Sequence, residues 1–454
     1  MNLEPLFNPK SIAVIGVSLS NDRHPANVIF SKNQHRYPVD VFAVNPKGGF
    51  LQDETVYSRI ADVPAPVDLA VLSVRADMVG DTMADCIKAG VRSAVVISGG
   101  FSEMGRGDLQ EKLVAIAKEA DFPFIGPNCL GIFVPSRFDT LFLPSERMIL
   151  PQTGSVALVS QSGGILVDQM IKFSGEGIGM SKAISIGNKA VIRELDLLEY
   201  FAADSTTKVI AFYVEGFRKN EGRQFVTAAV ECSKPIVMLK AGKSPAGQQA
   251  VASHTASLAG DYDNFRSALM QHSVLEVAND QELASYCEVL SAYNNPIEGR
   301  VAIITGSGGH GAIAVDACSA QGLTVPSLDE IRQKEIIAAL SPSVQAIASC
   351  RNPIDLTGSA ADDDFVAAMR LCCKSGVFDC ILVLLLPYIP GITSDLSARL
   401  SAIAGRERIP LIAYVPHEEK YAMLIDGFQL NGNPVSPSIE GSVLMAKALS
   451  RRKR

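Results

Sequence analysis

The residues best suited to chemistry lie in the stretch VASHTASLAG, residues 251–260, where His254 sits among Ala, Ser, Thr and Gly. A histidine with neighbours of so little bulk suits a covalent phosphoryl carrier. A tetrahedral phosphate must fit on the ring nitrogen and meet backbone N–H donors, and large side chains would exclude it. Upstream, KAGKSPAGQQAVASH reads as a polar, Gly-containing loop after a strand, and helical spacing resumes after Gly260. The run VIAFYVEGFRKN places Glu215 at the end of a predicted strand, just before Gly216. A carboxylate bonded to one imidazole nitrogen fixes the tautomer and leaves the other nitrogen as nucleophile. Glu215 has two readings at this point, that orienting group or a solvated turn residue.

Three strand-to-helix openings offer places for anions, because helix N-termini carry unpaired N–H groups and partial positive charge. ALVSQSGGILVDQM puts Ser160, Gln161, Ser162, Gly163 and Gly164 between a strand and a helix. Backbone N–H groups and hydroxyls there can bind a phosphate, or form an ordinary Ser-capped turn. AVIGVSLSNDRHPANVIF has Gly16 at a strand end and a helix starting near Pro25, without the GxGxxG of dinucleotide binders. The strand after it ends in VNPKGG, where NAD binders carry an acid. Lys47 favours an additional phosphate, such as the 3′-phosphate of coenzyme A or the 2′-phosphate of NADP, or is a solvated lysine. IITGSGGHGAIAVD is a third glycine-rich opening, read as a phosphate loop or a tight turn, with no chemical role for His310. GxxxxGK[ST] is absent, and the histidines show no metal-ligand spacing.

These sites need rigid supports, and the chain supplies them. β-Branched runs such as SIAVIG, VDLAVLSV and SAVVISGG alternate with amphipathic segments, the βαβ pattern of parallel sheets covered by helices. The turn-rich break VPSRFDTLFLPSERMILPQTG separates the first series from the second, and the third begins after NNPIEG. The expected domains are residues 1–145, 146–295 and 296–454. With 47% hydrophobic and 20% charged residues, the composition is that of a globular α/β protein. A net charge of -7 leaves no basic face for nucleic acid, and no apolar run spans a bilayer. Nine cysteines without a regular framework fit a reducing cytoplasm.

In order along the chain, VIGVS, VNPKGG, VDLAVLSV, SGGFSEMG, GPNCLGI, VALVSQSGG, SIGNKA, YVEG, SHTASLAG and NPIDLTG carry a family resemblance. The chain resembles the α subunit of NDP-forming acyl-CoA synthetases and, more distantly, that of succinyl-CoA synthetase. The resemblance implies a Rossmann-like CoA-binding domain followed by two flavodoxin-like parallel-sheet domains. It makes His254 the phosphorylated nucleophile, Glu215 its stabiliser and Ser160–Gly164 a phosphate-binding helix start. For coenzyme A it points to Gly16, Ser18, Lys47, Val74, Ser98, Gly99 and Asn128, and for the acyl pocket to Val167. The implied reaction interconverts acyl-CoA, phosphate and ADP with carboxylic acid, CoA and ATP. Mg2+ and nucleotide would bind an ATP-grasp β subunit, in an αβ hetero-oligomer. The chain departs from the family in RHPAN, in Val191 and Ile192 after GNKA, and in Ala256 and Ser257. The alternatives are a CoA-sensing module, against which intact His254 and Glu215 argue, and an NADP-dependent dehydrogenase, for which the sequence offers no hydride-transfer site.

Overall fold

The computed structural model describes residues 1–218, 220–255, 262–272 and 274–452, with the side chains of residues 252–255, 264 and 270 outside the description. It divides into two compact units, Met1–Ala278 and Asn279–Arg454. The first holds two seven-stranded sheets and the second a five-stranded sheet.

In the first sheet the strands are β1 Ser11–Ile15, β2 Asp40–Val44, β3 Gly49–Leu51, β4 Glu54–Tyr57, β5 Leu69–Leu72, β6 Ser93–Val96 and β7 Phe124–Ile125. β1, β5 and β6 are buried along their whole length, as strands covered on both faces must be. Their order is β3-β4-β2-β1-β5-β6-β7, and all pairs are parallel except β3 with β4. With β3 set aside, the parallel strands follow the 3-2-1-4-5-6 order of dinucleotide-binding doubly wound sheets. The helix Pro25–Arg36 starts where the sequence places it, with Pro in the first turn and His24 Nδ1 accepting from the Ala26 N–H at 3.3 Å.

The second sheet contains β8 Gly131–Val134, β9 Phe138–Asp139, β10 Thr153–Ser160, β11 Met180–Ser185, β12 Val209–Val214, β13 Ile236–Lys240 and β14 Val274–Val277. Its order is β14-β13-β12-β10-β11-β8-β9. The five parallel strands, counted from β10, run 2-1-3-4-5, the flavodoxin order. β8 and β9 add antiparallel pairs beyond β11. β9 and the last residue of β8 lie in the stretch whose Pro-rich sequence suggests a turn-rich break. The reason is a tertiary one: Lys32 Nζ meets buried Asp139 Oδ2 at 2.8 Å and the Leu141 carbonyl at 2.5 Å, while Asn33 exchanges two hydrogen bonds with the Asp139 backbone.

The third sheet, in the second unit, comprises β15 Val301–Thr305, β16 Ile354–Asp355, β17 Cys380–Leu384, β18 Leu411–Tyr414 and β19 Val435–Ser436. Its order is β16-β15-β17-β18-β19, wholly parallel, again the flavodoxin order. The helix Asp280–Ala292 belongs to this unit, where Glu288 Oε1 accepts from the Val435 N–H at 2.8 Å. Among the described residues no helix is long and apolar enough to cross a membrane, and no disulfide joins two cysteines.

Candidate active site

Ligands of open α/β sheets bind beyond the carboxyl ends of the strands, where the strand order reverses. In the first sheet that point lies between β1 and β5. Gly16 follows β1 with φ +98°, and a Cβ there would stand 2.3 Å from the Ser73 carbonyl oxygen and 3.0 Å from Val74 Cγ1. Only glycine lets the two strand ends close up in this way. Ser98 Oγ donates to the Val74 carbonyl at 2.6 Å, and its own carbonyl accepts from the Asn128 N–H at 2.9 Å. Gly99 lies against Asn128, whose Oδ1 would be 3.3 Å from an added Cβ. Gly16, Val74, Ser98, Gly99 and Asn128 thus form one continuous rim.

Ser18 joins that rim from the other side. Its N–H donates to Asn27 Oδ1 at 2.7 Å and its carbonyl accepts from Asn27 Nδ2 at 2.8 Å. Asn27, within the RHPAN stretch that departs from the family, thereby fixes the loop. Lys47 is exposed after β2, with its N–H on Asn45 Oδ1 at 2.9 Å, and Asn45 Nδ2 reaches the Val17 carbonyl at 2.7 Å. Side-chain-free Gly16 and Gly99, with an exposed cation nearby, leave backbone approachable by a pyrophosphate-containing ligand.

The second sheet reverses between β10 and β12, and the residues expected to hold phosphate and orient His254 meet there. Ser160 is buried; its Oγ donates to the Ser162 carbonyl at 2.6 Å and accepts from the Ser162 N–H at 3.2 Å. Ser162 caps the helix Gly163–Gly175, accepting from the Ile165 N–H at 3.4 Å. Gly163 and Gly164 supply the first N–H groups of that helix, which have no acceptor within it. Val167 lies half-buried one turn further along.

Glu215 is buried directly after β12, and β12 pairs with β10 so that Tyr213 stands beside Ser160. The solvated-turn reading of this glutamate is therefore excluded. Tyr213 Oη donates to Glu215 Oε1 at 3.4 Å. Gln161, expected among the phosphate ligands, turns inward instead. Its Oε1 accepts from the N–H groups of Glu215 at 2.5 Å and Gly216 at 3.2 Å, and its Nε2 donates to the Gly216 carbonyl at 2.9 Å and to Glu194.

β13 lies beside β12 and leads to the helix Pro245–Thr255, which carries His254 in its last turn. The expected polar loop is helical over this span. Pro245 opens it and Ser244 Oγ accepts from the Gly247 N–H at 3.1 Å, a start signal that the sequence contained. The His254 side chain lies outside the described residues, as do Ala256, Ser257 and Gly260 entirely. Buried Lys189 and Glu194, and partly buried Lys240, were not singled out from sequence. Burial pushes the Glu194 carboxyl above its usual range against the opposing pull of Lys189. Burial also lowers Lys240 to about 8.

Among the described residues no group of three His, Cys, Asp or Glu side chains could hold a metal ion. A separate cavity of about 990 Å³ is lined by Met1–Glu4, part of the helix Gly107–Glu119 and residues 190–193, and by none of the residues above.

Three family models cover most of the chain. A CoA binding domain matches residues 10–135, a succinyl-CoA ligase like flavodoxin domain residues 153–290, and a ligase-CoA domain residues 301–405. The acetate–CoA ligase [ADP-forming] I subunit alpha of Pyrococcus furiosus is 33% identical over 99% of this chain and 97% of its own length. The chain belongs to this ADP-forming acetate–CoA ligase family. The Archaeoglobus fulgidus acetate–CoA ligase [ADP-forming] I is 36% identical over 85% of this chain, which spans only 55% of that relative. The family fold is also that of the Ca. Korarchaeum cryptofilum dinucleotide-forming acetyl-coenzyme A synthetase 1, solved with phosphate and ADP. That structure matches with a TM-score of 0.89 and 31% identity, over 99% of this chain and 97% of the other.

Proposed function

We propose that the chain is the α subunit of an ADP-forming acyl-CoA synthetase and carries the phosphoryl group on His254. The observation that carries this reading is the meeting of the Ser160–Gly164 helix start with buried Glu215 at the switch point of the second sheet, beside the strand that leads to the His254 helix. Phosphate attacks the thioester carbonyl, the C–S bond breaks, and acyl-phosphate and free CoA result. The imidazole of His254 then attacks phosphorus, releasing the carboxylate, and the phosphohistidine passes the group to ADP. Glu215 holds the imidazole tautomer, and the helix start at Ser162 offers N–H donors and partial positive charge to the phosphoryl oxygens.

Coenzyme A fits the rim of the first sheet, with its pyrophosphate against Gly16 and Ser18 and its additional phosphate within reach of exposed Lys47. Val74, Ser98, Gly99 and Asn128 complete that wall, and Val167 lines the acyl side. The Pyrococcus furiosus relative is named an α subunit, which supports a partner. An ATP-grasp β subunit would hold ADP or ATP with Mg2+, and the cytoplasm is the expected compartment.

The test uses the full chain with its β subunit, acetyl-CoA and labelled phosphate. Acid-labile label should appear on the native protein and be abolished in His254→Asn. Label that persists in this variant would sink the proposal.

A further inference from the structure

The Glu215–Gly216 segment is held in an unusual way. A strand end normally satisfies its backbone through neighbouring strands or water. Here all four main-chain polar groups of these two residues are bonded by side chains. Gln161 accepts from both N–H groups and donates to the Gly216 carbonyl. Lys189 Nζ donates to the same carbonyl at 2.5 Å. Lys240 Nζ donates to the Glu215 carbonyl at 2.7 Å and also to that of Ala241. Glu194 closes the ring, its Oε1 accepting from Lys189 Nζ at 2.8 Å and from Gln161 Nε2.

The three contributing side chains come from three places in the sheet: the turn after β10, the turn after β11 and the end of β13. The Gln161 amide has one workable orientation, because rotating it by half a turn would set its oxygen against a carbonyl and a carboxylate and its NH2 against two N–H groups. The turn that carries Lys189 is itself fixed, with the Asn188 N–H on the Pro127 carbonyl at 2.9 Å and the Ala190 N–H on the Gly126 carbonyl at 3.0 Å.

We propose that Gln161 is a positioning residue that acts through Glu215 and not a phosphate ligand, with Lys189, Glu194 and Lys240 completing a clamp on the Glu215–Gly216 backbone. This rests on the reading of His254 and Glu215 as the phosphoryl-transfer pair. Gln161 spends its side chain on the backbone of the carboxylate-bearing residue, and its own N–H donates to the Tyr213 carbonyl at 3.2 Å. No donor of Gln161 is left for phosphate, whereas the location of Glu215 depends on it from two sides.

The experiment compares native protein, Gln161→Ala, Glu215→Gln and the double variant, each as full chain with β subunit, acetyl-CoA and labelled phosphate. Labelling rate is followed as a function of phosphate concentration. Loosening the carboxylate should slow labelling at saturating phosphate by about a hundredfold, the usual penalty for a misplacement of about 1 Å. Half-saturation by phosphate should change less than about twofold, and in the Glu215→Gln background the same change should cost less than about twofold more. Raised half-saturation with an intact saturating rate, or a full multiplicative loss on top of Glu215→Gln, would overturn the clamp while leaving the phosphohistidine reading standing. Label on a His254→Asn control would overturn both. Should Gln161→Ala fail to fold, Gln161→Met, which keeps the side-chain volume without the amide, carries the same comparison and the same criteria.

Discussion

The switch points of the second and third sheets start from the same local chemistry and arrive at different environments. Each ends its first strand on a hydroxyl residue whose oxygen bonds both backbone groups of the residue two further on: Ser160 with Ser162, and Thr305 with Ser307 at 3.3 and 3.2 Å. Each then opens a helix with two glycines, at Gly163 and at Gly308. The residue between the hydroxyls separates them. In the second sheet it is Gln161, tied into a buried polar network. In the third it is Gly306, where a Cβ would stand 2.5 Å from Ile389 Cδ1. The residue after the neighbouring strand follows suit, Glu215 in one sheet and buried Leu385 in the other. A glycine-rich opening is thus a common scaffold, and what it faces is chosen by residues that no turn motif contains.

That contrast can be broken at its buried charge first. Lys189→Met would leave the Glu194 carboxylate fully buried without its cation, and the free energy of unfolding in denaturant should fall by about 3 to 5 kcal/mol. A loss under about 1 kcal/mol would mean the network tolerates an uncompensated charge. Next, Gly306→Gln would place the second sheet's residue in the third. With Ile389 and Phe365 in its way, it should destabilise by about 1 to 3 kcal/mol through overpacking, read from the same denaturation curves.

The smallest effect concerns Lys240, whose place in the third sheet's clampless opening is taken by Tyr414. Burial lowers it to about 8, Glu215 and Glu276 favour its charged form, and Lys243 and Lys189 oppose it. As pH rises through about 8, the cation that donates to the Glu215 carbonyl is lost, so the labelling rate should decline there. Stability has the opposite sign. Between about 8 and the ordinary lysine value of 10.5 the unfolded chain binds more protons than the folded one, so folding is favoured increasingly with pH. Lys240→Met should flatten both trends, as read from a rate profile and denaturation midpoints across that range.

Local pattern carried much of the architecture. β-Branched runs and helical spacing located the parallel strands and the three glycine-rich openings, because those signals arise within a few residues of each other. Ser160, Ser162 and Glu215 are legible for the same reason, Ser160 and Glu215 standing at strand ends and Ser162 at a helix start. Gln161 was visible as a polar residue in a helix opening, but its partners Glu194 and Gly216 are 33 and 55 positions away. Such long-range bonds leave no periodic trace, and nothing local in the sequence distinguishes Lys189 and Lys240 from other lysines. The helix over residues 245–255 has the sequence of a loop because Gly247 and two glutamines dilute its apolar pattern, although Ser244–Pro245 marks its start.

The hairpin of β8 and β9 bears on how such chains can be recombined. It is encoded ahead of residue 145 yet completes the edge of the second sheet, and Lys32 and Asn33 of the first layer hold its far end in place. A fragment starting at residue 146 would present β11 as a bare edge, open to pairing with other chains. A chimera that exchanged the CoA-binding module would therefore have to carry the hairpin together with Lys32 and Asn33.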